Sequence, residues 1–252
     1  MKNIFKKRLA AGDRVIGLWN SLCSPIVTEM VSGSGFDWLL IDMEHTPNDV
    51  MGVMSLLQAA KPGMAAPIVR PPWNDAVVLK RLLDIGCQNF LIPFVQNAQE
   101  AALAVAATRY PPQGIRGVTT SSRATNFGRI TDYLACANSE ICVLVQIETG
   151  EALKELEAIA SLEGVDGVFI GPSDLAASLG HIGNSAHRDV QVELENGVKQ
   201  LKRMGKPAGI LAPQADDARR YLDMGYSFVA VGSDMNLLVN AADALSKQFA
   251  QL

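Results

Sequence analysis

The chain has 252 residues, is 48% hydrophobic and 19% charged, and carries a formal net charge of −4. This composition is typical of a globular protein with a large core. It shows no basic patch of the kind that nucleic-acid binders carry, and no apolar run near the roughly 20 residues that span a bilayer. The N-terminal segment lacks the apolar core of a signal peptide. We therefore expect a cytoplasmic protein that binds neither nucleic acid nor membrane.

The four cysteines are scattered along the chain, with no CxxC pair and no neighbouring histidine. They are Cys23, Cys87, Cys136 and Cys142. This spacing favours reduced thiols in a cytoplasmic protein over a zinc site or a disulfide framework.

Eight short apolar segments are predicted to be strands, and most are apolar on both faces, as buried parallel strands are. In chain order they are VIGLW (15–19), FDWLLID (36–42), APIVR (66–70), NFLIP (89–93), CVLVQIE (142–148), VDGVFIG (165–171), AGIL (208–211) and FVAVG (228–232). Amphipathic stretches such as 75–86, 98–110 and 150–162 are predicted to be helices between them. This alternation predicts a single (β/α)₈ TIM barrel domain over residues 1–252, with a doubly wound open sheet as the alternative. The irregular stretch 110–130 is predicted to be functional or disordered.

Polar side chains gather where the predicted strands end, which in barrels is where catalytic groups lie. In chain order they are Trp19, Asp42, Glu44, His45, Arg70, Gln146, Glu148 and Asp174. Each has a purely structural alternative: Glu148 as a helix-start carboxylate, Asp174 as an N-cap, His45 as a structural histidine. Taken together at one end of a barrel, they predict a shared cleft.

The residue types in this set suit enolate chemistry on a 2-oxo acid. Glu148 and Asp174 could bind a magnesium-like cation, and Gln146 would face the same side of its strand and hold a metal-bound water. Such a cation would polarise a carbonyl oxygen. Arg70 would add a fixed positive charge to a developing oxyanion, and His45 supplies an imidazole that can act as a general acid or base.

Several longer motifs resemble the HpcH/HpaI aldolase family, over residues from about 4 to 250. They are FDWLLIDMEH, YPPQGIRG, VQIET, DGVFIGPSDLAASLGH, KPAGILAP, ARRYLDMG and FVAVGSD. The resemblance implies a (β/α)₈ barrel that uses Mg²⁺, Mn²⁺ or Co²⁺ and assembles as a homo-hexamer. It also implies reversible cleavage of 4-hydroxy-2-oxo acids to pyruvate and an aldehyde, with substrates of the 2-dehydro-3-deoxyglucarate or 4-hydroxy-2-oxoheptanedioate type.

The resemblance also implies roles for individual residues. Glu148 and Asp174 match the family's metal ligands, and Arg70 matches the arginine on the pyruvate carbonyl oxygen. His45 matches the catalytic histidine, and Asp84 matches an acid that pairs with it.

Other matched positions surround the substrate. Gly171, Ser173 and Asp174 match the segment whose backbone receives the pyruvate carboxylate, while Trp19 and Leu211 match walls of the cleft. One departure is Arg188, where many relatives have proline. The segment SSRATNFG (121–128) leans toward the deoxyglucarate aldolases.

Three other functions stay open from the residues alone. A Schiff-base aldolase needs a lysine at a strand end. However, the lysines weighed for this role are predicted to precede strands or lie on helices; they are Lys61, Lys80, Lys154, Lys199, Lys202 and Lys206. The remaining alternatives are a phosphoenolpyruvate-using or acyl lyase on the same barrel, and a non-catalytic assembly or sensor barrel.

Overall fold

The structure is a computed structural model that describes residues 2–60 and 65–250. Eight parallel strands follow one another in chain order around a closed barrel, and β8 pairs with β1. The strands are β1 (Val15–Asn20), β2 (Trp38–Asp42), β3 (Ala66–Arg70), β4 (Asn89–Ile92), β5 (Cys142–Ile147), β6 (Gly167–Ile170), β7 (Ala208–Leu211) and β8 (Phe228–Ser233). The predicted (β/α)₈ barrel is confirmed, and the open sheet is wrong.

Helices connect the strands and cover the outside of the barrel. They are α1 (Ile4–Ala10), α2 (Pro25–Ser32), α3 (Val50–Ala59), α4 (Ala76–Asp84), α5 (Ala98–Thr108), α6 (Tyr133–Glu140), α7 (Gly150–Lys154), α8 (Leu156–Ser161), α9 (Pro172–Ser178), α10 (Arg188–Arg203), α11 (Ala215–Met224) and α12 (Asp234–Phe249). Between α5 and α6 the chain is irregular, as predicted, apart from a short 3₁₀ helix at Arg123–Thr125.

Six predicted strands differ from the observed bounds by one or two residues at an end, while β3 and β7 match them. Strand β2 begins at Trp38 rather than at residue 36, and Asp37 before it bonds β1 through its backbone N–H to the carbonyl of Ile16, at 2.8 Å, and through its carboxylate to the N–H of Ile16, at 2.7 Å. The single helix predicted over 150–162 is two helices, since the backbone leaves the helical conformation at Glu155 (φ −91°, ψ 3°).

Large aromatic side chains fill the end of the barrel where the strands begin. Trp38 and Phe228 meet edge to face, with ring centroids 6.5 Å apart. Two glycines make room for them: a Cβ on Gly17 would lie 2.1 Å from the Trp38 ring, and one on Gly209 would lie 2.0 Å from the Phe228 ring. The barrel is therefore a packed core at this end, and the site lies at the other end.

Two further sequence predictions concern membranes and thiols. Within residues 2–60 and 65–250, no helix is both long enough and apolar enough to cross a membrane. All four cysteines are free thiols, as predicted. Lys61, weighed above as a possible Schiff-base lysine, lies outside the described residues.

Candidate active site

A cavity of about 380 Å³ opens at the carboxyl ends of the strands. Ten residues predicted to be at the site line it: Trp19, Asp42, His45, Arg70, Gln146, Glu148, Gly171, Ser173, Asp174 and Leu211. The strand order explains this, because the residue that ends each parallel strand comes to the same rim. The shared cleft predicted from the strand ends is thus present within one chain.

Arg70 is held rigidly on one side of the cavity. Its Nε and Nη2 atoms donate to the two carboxylate oxygens of Asp42, at 2.9 and 2.7 Å, and Nη1 lies 2.6 Å from Glu44 Oε2. The guanidinium carbon also lies 5.1 Å from the centroid of the Trp19 ring. Burial acts to raise the pKa of Asp42, but hydrogen bonds and positive charge from Arg70 outweigh it and lower that pKa. Asp42 therefore stays charged and keeps the arginine fork in one orientation.

Glu148 is buried just beyond the end of β5, two strands along the barrel from β3 and Arg70. Its Oε1 accepts from Gln146 Nε2 at 2.6 Å, and its Oε2 accepts from the backbone N–H of Phe94 at 3.1 Å. Phe94 has a left-handed backbone (φ 53°). Burial, together with the negative charges of Glu44 and Asp174, raises the pKa of Glu148 to about 7.

Asp174 reaches the cavity from the first turn of α9, directly after β6. The N-cap of this helix is Gly171 and has no side-chain cap, so the alternative of Asp174 as the N-cap is wrong. Glu148 does not begin α7 either, because Thr149 is that helix's N-cap and its hydroxyl accepts from the Ala152 N–H. Both carboxylates are thus available to a ligand.

The donor set around Glu148 fits a divalent cation. Burial is the main cause of the raised pKa of Glu148, and the negative charges of Glu44 and Asp174 add to it. A cation bound by Glu148 and Asp174 would offset these costs. In addition, Gln146 Oε1 is buried without a hydrogen-bond partner, so it is free to accept a hydrogen bond from a water. Magnesium-like ions keep several waters in such sites.

His45 lies in the loop after β2, and its side chain is 66% exposed. Its Nε2 lies 3.7 Å from Glu44 Oε2, on the same side of the cavity as Arg70. The loop is shaped by Thr46 and Asn48, whose side chains both donate to the backbone carbonyl of Asp42, at 2.5 and 2.7 Å. The imidazole is therefore accessible to a substrate or a water.

The structure does not bring Asp84 to this cavity within one chain. Asp84 is the last residue of α4, which runs back toward the end of the barrel where the strands begin. Its Oδ1 lies 3.7 Å from Arg116 Nη2, and the Arg116 guanidinium lies 4.3 Å from the centroid of the Tyr110 ring. A pairing of Asp84 with His45 would have to join two chains, and it stays a prediction.

Several cavity residues were not predicted to be at the site. Phe94 binds Glu148 through its backbone N–H, and the type of its side chain does not indicate that role. The wall formed by β8 and the start of α12 was also missed, with Gly232, Ser233, Met235 and Asn236. Asp234 next to them accepts hydrogen bonds from the backbone N–H groups of Ser21 and Leu22, at 2.8 and 3.2 Å, and so joins this wall to the loop after β1.

Fold and cavity together define a barrel enzyme with one fixed guanidinium facing a pair of carboxylates. A family model described as HpcH/HpaI aldolase/citrate lyase matches residues 15–241. A 4-hydroxy-2-oxo-heptane-1,7-dioate aldolase of Klebsiella pneumoniae is 54% identical, covering 99% of this chain and 94% of the relative. A 5-keto-4-deoxy-D-glucarate aldolase of Escherichia coli K12 is 53% identical, covering 98% and 96%.

A solved structure of an HpcH/HpaI aldolase/citrate lyase family protein from Burkholderia cenocepacia J2315 superposes with a TM-score of 0.95. It is 38% identical and covers 98% of this chain and 99% of its own. The chain belongs to the HpcH/HpaI aldolase/citrate lyase family. Since its close relatives are named aldolases, it is an enzyme of the lyase class.

Proposed function

We propose that this protein is a divalent-metal-dependent aldolase that cleaves 4-hydroxy-2-oxo acids reversibly to pyruvate and an aldehyde. The observation that carries the proposal is that Arg70, Glu148 and Asp174 line one cavity. A 2-oxo acid presents a carboxylate and a neighbouring carbonyl oxygen, which such a cavity can bind from both sides. The substrates named for the two close relatives are of this class.

Glu148 and Asp174 would hold the cation, and Mg²⁺, Mn²⁺ or Co²⁺ suits their oxygen ligands. When bound, such a cation supplies a Lewis acid at the 2-oxo group of the substrate. Gln146 and the Phe94 N–H keep the Glu148 carboxylate oriented for this task. Asp174 comes from the first turn of the next helix along the barrel, so the two ligands approach from neighbouring strand ends.

Arg70 binds the 2-oxo oxygen as negative charge develops on it. Its fork is already oriented by Asp42 and Glu44, so no reorganisation is needed during the reaction. Gly171 and Ser173, at the start of α9, are the segment that would receive the substrate carboxylate. Trp19 and Leu211 form apolar walls of the cavity.

His45 moves the proton in this proposal, directly or through one water. In the cleavage direction the 4-hydroxyl group loses its proton, the C3–C4 bond breaks, and the bonding electrons pass to the 2-oxo oxygen to give a pyruvate enolate. The aldehyde leaves, and a proton added at C3 completes pyruvate. The exposure of His45 at the rim suits contact with both the substrate hydroxyl and solvent.

Assembly as a homo-hexamer and a cytoplasmic location are part of the proposal. Apolar side chains along α12 are exposed on the single chain, which supports burial against a neighbour: Leu237, Leu238, Val239, Leu245 and Phe249. Asp84 would act on His45 only across such a contact.

A phosphoenolpyruvate-using lyase is the second candidate, because the barrel and the carboxylates would suit it equally. A phosphate, however, requires several cationic or N–H donors. Of the described residues that line the cavity, Arg70 alone is a lysine or arginine, and two carboxylates already bind it. The cavity therefore favours the 2-oxo acid.

A panel of 4-hydroxy-2-oxo acids, assayed for pyruvate release, tests the proposal. The protein is first stripped by a chelator and then supplied with Mg²⁺, Mn²⁺ or Co²⁺. We expect cleavage only after a metal is restored. Cleavage at the full rate by protein whose metal content is verified to be negligible would reject the metal-dependent mechanism. Failure to release pyruvate from any member of the panel would reject the reaction.

A further inference from the structure

Two of the chain's three histidines lie face to face outside the catalytic cavity. The rings of His181 and His187 have centroids 3.5 Å apart and an angle of 17° between their planes. Oδ2 of Asp189 lies 3.2 Å from Nε2 of His181 and 3.6 Å from Nδ1 of His187. One ligand atom from each of the three residues lies within 4.8 Å of the other two. The cluster joins the loop after α9 to the first turn of α10.

The distances from the Asp189 oxygen to the two imidazole nitrogens are close to those in a four-coordinate metal site. Bonds of about 2.0–2.1 Å to a tetrahedral ion place neighbouring ligand atoms roughly 3.3 Å apart. The two measured distances to the Asp189 oxygen lie on either side of that value. Two imidazole nitrogens and one carboxylate oxygen favour Zn²⁺ or a similar transition metal over Mg²⁺, which prefers oxygen ligands. A water would complete the coordination.

The loop that carries the histidines is held in shape by its own backbone. The N–H of Asn184 donates to the carbonyl of His181 at 2.9 Å, and the N–H of His187 donates to the carbonyl of Asn184 at 3.1 Å. Gly180 and Gly183 take the left-handed conformation (φ 82° and 76°) that these turns need. Because the loop is already folded, an ion would not have to order it on binding.

We propose that His181, His187 and Asp189 form a second metal site, for Zn²⁺ or a similar transition metal, distinct from the catalytic cation site. The nearly parallel rings point their in-plane lone pairs side by side, so one ring must turn about χ2 for both to bind one ion. His187 is the ring that turns, because it is the more exposed of the two. The turn breaks its 3.3 Å hydrogen bond from the Asp189 N–H and its stacking on His181.

A bound ion would fix the end of α9 to the start of α10. Because α9 begins with the segment that contains Asp174, the ion would limit the movement of a residue proposed to bind the catalytic metal. The inference does not depend on the proposed reaction, since none of the three ligands lines the catalytic cavity.

The test is zinc binding by protein freed of any histidine tag, in a Glu148→Gln, Asp174→Asn background that removes the other site. Equilibrium dialysis against Zn²⁺ with metal analysis should give one zinc per chain. Adding His181→Ala should weaken zinc binding by at least about tenfold, as expected for loss of a metal-site partner. Adding His45→Ala is the matched control: it removes the third histidine and should leave zinc binding unchanged.

A further variant guards against a folding defect. Asp189→Asn keeps the size of the side chain, so it should fold normally and still weaken zinc binding. Zinc should raise the melting temperature of the background protein but not that of the His181→Ala or Asp189→Asn derivatives. No zinc bound by the background protein, or equal binding by the His181→Ala and His45→Ala derivatives, would overturn the inference.

Discussion

The backbone of Gly171 lies so close to the side chain of Glu148 that no Cβ fits at this position. A Cβ at Gly171 would lie 2.7 Å from Glu148 Oε1 and 3.0 Å from its Cγ. Gly171→Ala should therefore push the Glu148 carboxylate out of its two hydrogen bonds. We expect the affinity for Mg²⁺ or Mn²⁺ to fall by at least about tenfold, as for a lost partner of a metal ligand. Titration calorimetry measures the effect.

Gly232→Ala is the matched control for this substitution. Gly232 lines the same cavity, but its Cβ would meet nothing closer than Leu18 Cδ1, at 3.7 Å, which is an ordinary contact. We expect metal affinity close to wild type in this variant. Equal losses in both variants would show that the crowding of Glu148 is not the cause.

The pKa of Glu148 makes the stability of the metal-free protein depend on pH. This pKa is raised from 4.5 to about 7 in the folded chain, so the folded state holds a proton that the unfolded state has released. The contribution of this protonated carboxyl to the free energy of unfolding is complete below pH 4.5 and is lost as the pH rises through about 7. Between those two pH values, the free energy of unfolding of the metal-free protein should fall by on the order of 3 kcal/mol because of this group.

Glu148→Gln removes that dependence, because the amide does not titrate. In the presence of a chelator, the variant should unfold at higher urea concentration than wild type at pH 8, and the gap should close toward pH 5. Urea denaturation at several pH values makes the measurement. A gap that is the same at pH 5 and pH 8 would contradict the raised pKa.

The barrel itself could be predicted from the sequence because parallel strands buried on both faces are continuous apolar runs. Strand β3 was predicted at its observed bounds, and Pro71 and Pro72 follow it directly. The break at Glu155 between α7 and α8 could not be predicted, because the apolar period continues through it. Periodicity reports which face is buried and is insensitive to a single residue that leaves the helix.

The residues of the candidate site, like the elements of the fold, could be predicted only in part from the sequence. Side chains at strand ends, such as Arg70 and Glu148, were found because the topology places all those ends at one rim. Phe94 was missed because its backbone, rather than its side chain, binds Glu148. Asp84 was included only through the family resemblance, and its position beside Arg116 shows why the residues of one chain could not indicate it.

Replacing Arg70 by lysine should abolish most of the activity without unfolding the protein. Lysine keeps the charge but cannot bind Asp42 with two parallel N–H groups while a third nitrogen contacts Glu44. We expect kcat to fall on the order of 10²-fold or more, as for a lost oxyanion donor. Metal affinity serves as the internal control, because Glu148 and Asp174 are unchanged. A lysine variant with a kcat near wild type would rule out this role.

The absence of a lysine from the described lining of the cavity predicts that no Schiff base forms. Treatment with pyruvate and borohydride should therefore leave the mass of the intact protein unchanged. A known Schiff-base aldolase treated in parallel shows that the reagent works. A mass increase corresponding to reduced pyruvate on any lysine, Lys61 included, would restore the Schiff-base mechanism.

His45 can be tested in the half of the reaction that needs no aldehyde. In the proposed mechanism, bound pyruvate should lose and regain protons at its methyl group, because Arg70 and a bound cation would stabilise the enolate while His45 would move the proton. In heavy water, wild-type protein with metal should therefore exchange these protons for deuterium. His45→Ala should slow the exchange by roughly 10²- to 10⁴-fold, the usual range for general acid–base help.

Since His45 is 66% exposed and ends no strand, its removal should change neither the fold nor the metal affinity. NMR of the methyl signal gives the exchange rate, and calorimetry gives the metal affinity. Exchange at the wild-type rate in the variant would mean that another group moves the proton.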